Sequence, residues 1–265
     1  MRIQFQQKTV LITGASSGIG AALAKQLAAR GADLIVVARS RDRLEALAAQ
    51  LRASYQIHVA VFAIDLSVPH SAQALYQATQ QAGLQVDYLI NNAGFGRWTA
   101  FLDEPLAGYQ QMLQLNIQTL VDLTYLYVPQ MVARGQGGVM NIASTAAFQP
   151  LPYIAVYGAS KGFVLQFTEA LAGEYADQGI ACVAVCAGNT QTDFVRVANA
   201  DTTGMHASSP EDVAQVALAA WQAKRISVVV GWRNWLSSLL PRLLSRAMVV
   251  ALVRRMLYAR VRKMA

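Results

Sequence analysis

The sequence predicts an α/β protein: a doubly wound, mostly parallel sheet of about seven strands with helices on both faces. Three observations carry this expectation. The short β-prone runs are continuous Val/Ile/Leu stretches without polar alternation, as strands covered on both faces require. Longer helical patterns separate them, which is the signature of βαβ crossovers. The first run leads through clustered glycines into a helix, a Rossmann-like entry.

Thr9–Thr13 (TVLIT) reads as the first strand, and a helical pattern follows from Gly18 to Arg30. Leu34–Ala38 (LIVVA) is the second strand, then a helix over 41–53. Val59–Ile64 is the third, then a helix over 70–82. Tyr88–Ile90 and Val139–Ile142 flank a long helical stretch, which a tight loop at Gly135–Gly138 ends. Ile180–Cys186 and Ile226–Val230 complete the set. No Pro/Ser/Gly-rich linker or internal repeat divides the chain, so one domain is expected over 1–232, with a basic apolar helical extension over 233–265.

Composition narrows the functional classes. With 265 residues, 54% hydrophobic and 14% charged, the chain is long and apolar enough for a full core, which excludes disorder. The apolar run Ala247–Val253 is far short of the roughly 20 residues that span a bilayer. The first residues, MRIQFQQKTV, lack an apolar stretch of signal-peptide length, so a cytoplasmic protein is expected. Cys182 and Cys186 on one strand would lie about 13 Å apart, beyond disulfide reach, and read as reduced core residues. The net charge of +7 is uneven: residues 213–265 carry ten Lys or Arg and no acid beyond the body, which is itself net −3. That distribution argues against nucleic acid as a partner. No metal site is expected.

The sharpest local pattern is Thr13-Gly14-Ala15-Ser16-Ser17-Gly18-Ile19-Gly20, between a strand and a helix. Glycines let the backbone approach a ligand closely, and the helix start presents unpaired N–H groups to a pyrophosphate. Gly14, Ser16, Ser17, Gly18, Ile19 and Gly20 are therefore candidate cofactor contacts. The same residues also fit G-x-S-x-G, a serine-hydrolase elbow with Ser16 as nucleophile and Asp193 and His206 downstream. Against it, the elbow follows the first strand of the chain, and His206 sits in a polar stretch. After the second strand, Arg39 stands where an acid would bind a ribose 2′-hydroxyl, which favours a 2′-phosphate and hence NADP(H).

Tyr157 and Lys161 are four apart at the start of a helical pattern and share a face. An ammonium about 5 Å from the phenol oxygen is worth roughly 3 kcal/mol, enough to bring the phenol from near 10 to about 8. Ser144 follows the strand Val139–Ile142 and can donate to a carbonyl oxygen as charge develops there.

Taken in order, TGASSGIG at 13–20, Asp65-Leu66, Asn91-Asn92-Ala93-Gly94, Asn116, Ser144 and Tyr157-x-x-x-Lys161 resemble the short-chain dehydrogenase/reductase family over about residues 7–232. The resemblance implies reduction of a ketone or aldehyde with NADP(H). It implies Tyr157 as general acid, Lys161 as the group that lowers its pKa and binds the nicotinamide ribose, and Ser144 as the carbonyl-orienting group. Asn116 would hold a water behind Lys161. Asp65 would face the adenine, with Leu66 beside it, and Asn92, Ala93 and Gly94 would line the adenosine ribose. A homodimer or homotetramer through the Tyr157-bearing helix is also implied. One stretch departs from the family pattern: Pro-Gly-Pro-x-x-Thr is replaced by Ala187-Gly188-Asn189-Thr190-Gln191-Thr192. Thr190 and Thr192 can still bond the cofactor, but the lost prolines loosen the loop. A non-catalytic NADP(H)-binding regulator is the competing reading, and the intact Ser144, Tyr157 and Lys161 set argues against it.

The substrate walls are expected in Phe95–Trp98, Ala146–Tyr153 and 193–207, with Phe148 and Phe194 beside Ser144 and Tyr157. Their apolar content favours a lipophilic carbonyl compound. The basic tail is expected to serve as a peripheral membrane contact, a lid or a subunit contact. On one helical wheel Arg242, Arg246 and Arg260 cluster while Arg254, Arg255 and Arg262 do not.

Overall fold

The seven expected strands form at Thr9–Thr13 (β1), Asp33–Ala38 (β2), Val59–Ala63 (β3), Tyr88–Asn91 (β4), Gly137–Ser144 (β5), Ile180–Ala187 (β6) and Ser227–Val229 (β7). The structure is a computed structural model that describes residues 3–262; Lys263 of the basic tail lies outside the described residues. Every strand pair is parallel, in the order β3-β2-β1-β4-β5-β6-β7. The order reverses between β1 and β4. In such sheets the carboxyl ends of the strands at that switch leave a crevice for ligands.

Alternate side chains of each strand enter opposite layers. Val10 and Ile12 of β1 and Leu34 and Val36 of β2 pack with Leu23 and Leu27 of α1 (Gly18–Ala28) and Trp221 of α8 (Pro210–Gln222). Leu11, Ile35 and Val37 face the other way, toward Leu75 of α3 (Ser71–Gln81) and Leu123 and Met131 of α5 (Thr119–Ala133). Both faces are thus covered, which is why the strands read as unbroken apolar runs. Cys182 and Cys186 are buried free thiols on β6.

Three local features differ from the expectation. The stretch between β4 and β5 is two helices, α4 (Leu106–Leu113) and α5, joined by a π-helical turn at Gln114–Gln118 that contains Asn116. The fourth strand runs one residue past Ile90, to Asn91, whose amide donates to Asn141 Oδ1 (2.9 Å) and Thr124 Oγ1 (3.2 Å) in the core. The tail is two helices, α9 (Trp232–Leu243) and α10 (Arg246–Arg262), broken at Leu244 and Ser245, so one wheel cannot describe it. The remaining helices are α2 (Arg41–Tyr55), α6 (Ala155–Glu174) and α7 (Phe194–Val197).

Helix α10 does not extend away from the body. Its Val249, Val253 and Leu257 pack with Ile154 and, at the edge of that cluster, with Trp98, Leu151, Tyr153 and Tyr157. Arg260 donates to the carbonyls of Asp201 (2.9 Å) and Thr203 (3.0 Å). At the start of α9, Asn234 donates to Val230 O (2.7 Å) and lies so close to Gly188 that a Cβ there would fall 2.3 Å from its amide nitrogen.

Candidate active site

A cavity of 680 Å3 runs above the carboxyl ends of β1, β4, β5 and β6. One end is the glycine turn. Gly14 sits at φ +66°, in the left-handed region that favours glycine. Asn92 braces the turn by donating to Thr13 O (2.9 Å) and Gly14 O (3.1 Å). Gly20 is required beneath it, because a Cβ there would fall 2.3 Å from Gly14 O. Gly20 therefore packs under the turn and does not line the cavity, whereas Gly14, Ser16, Ser17, Gly18 and Ile19 do.

The start of α1 is open to a ligand. Ser17, its N-cap, makes no side-chain capping bond, and no acid lies in the first turn. Helix α8 shows the contrast: Ser209 Oγ accepts from Asp212 N (3.0 Å), and Glu211 and Asp212 fill its first turn. An uncapped, uncompensated helix start facing a cavity suits a phosphate. Arg39 and Ser40 line the cavity at the end of β2, as do Asp65 and Leu66 after β3, Ala93 and Gly94 after β4, and Thr190 and Thr192 after β6. The Asp65 Oδ1 atom is engaged by Ser67 N (2.9 Å) and Ser67 Oγ (2.6 Å), which fixes the carboxylate. This donor set, with Arg39 and one helix start, fits a dinucleotide bearing an extra phosphate.

Arg43 is a cavity residue that the sequence reading missed. Its place in the first turn of α2, just after the β2 end that carries Arg39, was the available signal. Arg43 reaches across to Asp193, 3.1 Å away. That pair takes the carboxylate a serine-hydrolase triad would need, and His206 is exposed. The Ser16 elbow is thus a dinucleotide-type turn in place of a nucleophile site.

Ser144, Tyr157 and Lys161 come together on the cavity floor. β5 ends at Ser144, whose hydroxyl accepts from Ala146 N (3.1 Å) and bonds the Tyr157 phenol. The first turn of α6 presents Tyr157, and Lys161 lies one turn on. The Lys161 ammonium is buried and donates to Ile142 O (2.7 Å). It lies 5.9 Å from the centroid of the Tyr157 ring. Burial lowers Lys161 from 10.5 to about 8, with the nearby Cys186 opposing. Burial raises Tyr157 from 10.0 to about 12, with the Ser144 hydrogen bond opposing. The expectation of a phenol near 8 is therefore corrected. Desolvation acts on both groups, and the ammonium is directed at a backbone carbonyl.

Asn116 stands behind the cavity wall near Lys161, and one further expectation, that for Phe148, is corrected. The Asn116 side chain clamps the β4 loop, accepting from Phe95 N (3.1 Å) and donating to Phe95 O (2.9 Å) and Ser160 Oγ (3.1 Å). Phe148 ends a 3-10 turn, Thr145–Phe148, that turns it toward Leu120, Val164 and Leu165 in the core and away from the cavity. Phe194 does line the cavity, with its ring centroid 5.4 Å from that of Tyr157. Gly96 makes that approach possible: a Cβ there would meet Phe194 Cζ at 3.0 Å and Tyr157 Cδ2 at 3.1 Å. The far wall comes from the tail, through Leu240, Leu244, Val253, Met256 and Leu257. Of the three roles expected of the tail, a lid over the cavity is one that this placement supports.

The family model for short chain dehydrogenase matches residues 8–203. Sulfoacetaldehyde reductase 2 of Chromohalobacter salexigens is 34% identical over 224 residues, covering 78% of this chain and 85% of the relative. A short-chain dehydrogenase from Sphingobium yanoikuyae, solved in complex with NADPH, is 33% identical with a TM-score of 0.81, covering 87% of this chain and 91% of that one. A solved 7beta-hydroxysteroid dehydrogenase, 26% identical, superposes with a TM-score of 0.86 over 96% of this chain and 99% of its own.

Proposed function

The chain belongs to the short chain dehydrogenase family, and from that premise we propose that it reduces the carbonyl group of a lipophilic ketone or aldehyde with NADPH. The observation that carries this reading is the meeting of Ser144, Tyr157 and Lys161 at the base of a cavity whose far wall is apolar. When bound, NADPH supplies the hydride to the carbonyl carbon. Arg39 would hold the 2′-phosphate, in the place where an acid would repel it. The uncapped start of α1 takes the pyrophosphate. The NADPH-bound relative supports this choice of cofactor.

Ser144 donates to the substrate carbonyl oxygen and fixes its position. Tyr157 then gives its phenolic proton to that oxygen as negative charge develops. With its pKa pushed up to about 12, the phenol is fully protonated at neutral pH, which suits a proton donor to an alkoxide. Lys161, about 8, is mostly protonated at pH 7, and its positive charge stabilises the phenolate left behind. Asn116 acts by positioning: it holds the Phe95 backbone beside Gly94, close to the Lys161 ammonium. The apolar walls, Trp98, Leu151 and Phe194 facing Val253, Met256 and Leu257, favour a hydrocarbon-bearing substrate. The exposed Phe163 on α6, with its ring stacked on Phe167 at 5.6 Å, supports a subunit contact through the helix that carries Tyr157.

The test is NADPH oxidation across a panel of ketones from short and polar to long-chain and steroidal. Lipophilic members should turn over best, and preference for polar members would overturn the substrate reading. Tyr157→Phe should bind NADPH as the wild type does and lose turnover by about 10² to 10⁴-fold. Full turnover in that variant would remove Tyr157 from its role.

A further inference from the structure

The face formed by α9 and α10 is unlike the rest of the molecule. Among the described residues, ten of the nineteen exposed large apolar side chains fall between Trp232 and Tyr258. On α9 they include Trp232 (71% exposed), Trp235, Leu236 and Leu243 (79% exposed), and on α10 Met248 and Val250. Exposed arginines stand among them: Arg233, Arg242, Arg246, Arg254 and Arg255. No Asp or Glu follows Asp212 in the sequence, so no tail carboxylate offsets that charge. Tryptophan and leucine interleaved with arginine is the composition of a surface that rests in a lipid headgroup region. Neither helix is long and apolar enough to cross a membrane, so such a surface would lie on the leaflet.

A second observation links this face to the cavity. Leu240, Leu252 and Met256 line the cavity and are also 50%, 51% and 55% exposed. The apolar wall of the cavity is therefore continuous with the apolar outer face. These three side chains come from both α9 and α10, so both helices contribute to this margin of the cavity.

We infer that α9 and α10 dock on an anionic lipid leaflet and admit a membrane-dissolved ketone through the opening lined by Leu240, Leu252 and Met256. Charge complementarity selects this occupant. A symmetric contact with a second copy would bring the same arginines face to face, whereas an anionic leaflet neutralises them. The route of entry rests on the lipophilic-substrate reading above; the docking itself does not.

The experiment uses the full chain with vesicles of phosphatidylcholine, alone or mixed with phosphatidylglycerol. The protein should sediment with the anionic vesicles, and a brominated lipid should quench its tryptophan emission. Trp221 is fully buried and Trp98 is partly buried at the cavity wall, so the exposed Trp232 and Trp235 are the residues that report the contact. Arg233→Gln and Arg242→Gln should each lower partitioning about fivefold. Trp235→Ser with Leu243→Ser should remove the quenching. The same pair should keep turnover of a water-soluble short ketone and lose about tenfold for a long-chain ketone dissolved in the vesicles. Absence of wild-type binding to anionic vesicles would overturn the inference. So would a smaller species in light scattering on making the Trp235→Ser/Leu243→Ser pair, which would assign the face to a second copy. Equal turnover of the vesicle-dissolved ketone by wild type and variant would overturn the route of entry. Failure of the wild type on every soluble ketone, with vesicle binding intact, would instead overturn the reductase reading and leave the docking standing.

Discussion

Replacing Lys161 with Met should alter the pH dependence of stability in a way that can be worked out from its burial. The lysine is 5% exposed, and its pKa falls from 10.5 to about 8 on folding. Below pH 8 the folded protein holds a desolvated ammonium that the unfolded chain would solvate freely. That penalty is fully present below the folded value and disappears as pH rises through the unfolded one. The gap corresponds to roughly 3 kcal/mol, of which about 2 to 3 kcal/mol is recovered between pH 7 and pH 10. Methionine does not titrate, so the stability of wild type relative to Lys161→Met should rise by that amount over the interval. Loss of the bond to Ile142 O displaces the whole curve and leaves its slope alone. Cys182 and Cys186, pushed up by burial to about 11 and about 12, titrate in both proteins and cancel in the difference. Paired thermal melts at pH 7, 8, 9 and 10 measure it, with an expected relative change of roughly 5 °C for a chain of this size. Parallel curves across the interval would show that the folded protein does not desolvate this ammonium, and the account of the site would fail with it.

The same group should shape catalysis: reduction should fall about tenfold per pH unit above pH 8 as Lys161 loses its proton, and a rate flat to pH 10 would exclude that role. Arg39→Ala should weaken NADPH binding by about tenfold to a hundredfold and leave NADH binding unchanged in a fluorescence titration. Equal losses for the two cofactors would place Arg39 away from the 2′-phosphate. Gly96→Ala should cost roughly 1 to 3 kcal/mol and reduce turnover, since its Cβ would press on both Phe194 and Tyr157. An unchanged melting temperature with full turnover would refute that packing.

Elements governed by local pattern were legible from the sequence. The strands were readable because burial on both faces leaves a run such as Leu34-Ile-Val-Val37 with no polar position. The glycine turn was readable because the left-handed φ of Gly14 and the clash of a Gly20 Cβ with Gly14 O are demands set within seven residues of chain. The Tyr157–Lys161 pair was readable because a helix fixes the geometry of residues four apart. Side-chain direction after a turn was not. Phe148 reads as a wall residue beside Ser144, yet a single 3-10 turn carries it into the core. Asn116 sits in a π-helical turn that no pattern of apolar residues signals, and only that turn brings it to the Phe95 backbone.

By itself the sequence determined the sheet, the glycine turn and the pairing of Tyr157 with Lys161, because each depends on residues near one another in the chain or on a period of two or four. Tertiary structure alone decided the protonation of the site and the closure of its far end. The first depends on how completely water is removed from Tyr157 and Lys161, a property of everything packed around them. The second depends on Val249, Val253 and Leu257 meeting Ile154, about a hundred residues earlier in the chain, a contact that no local periodicity encodes.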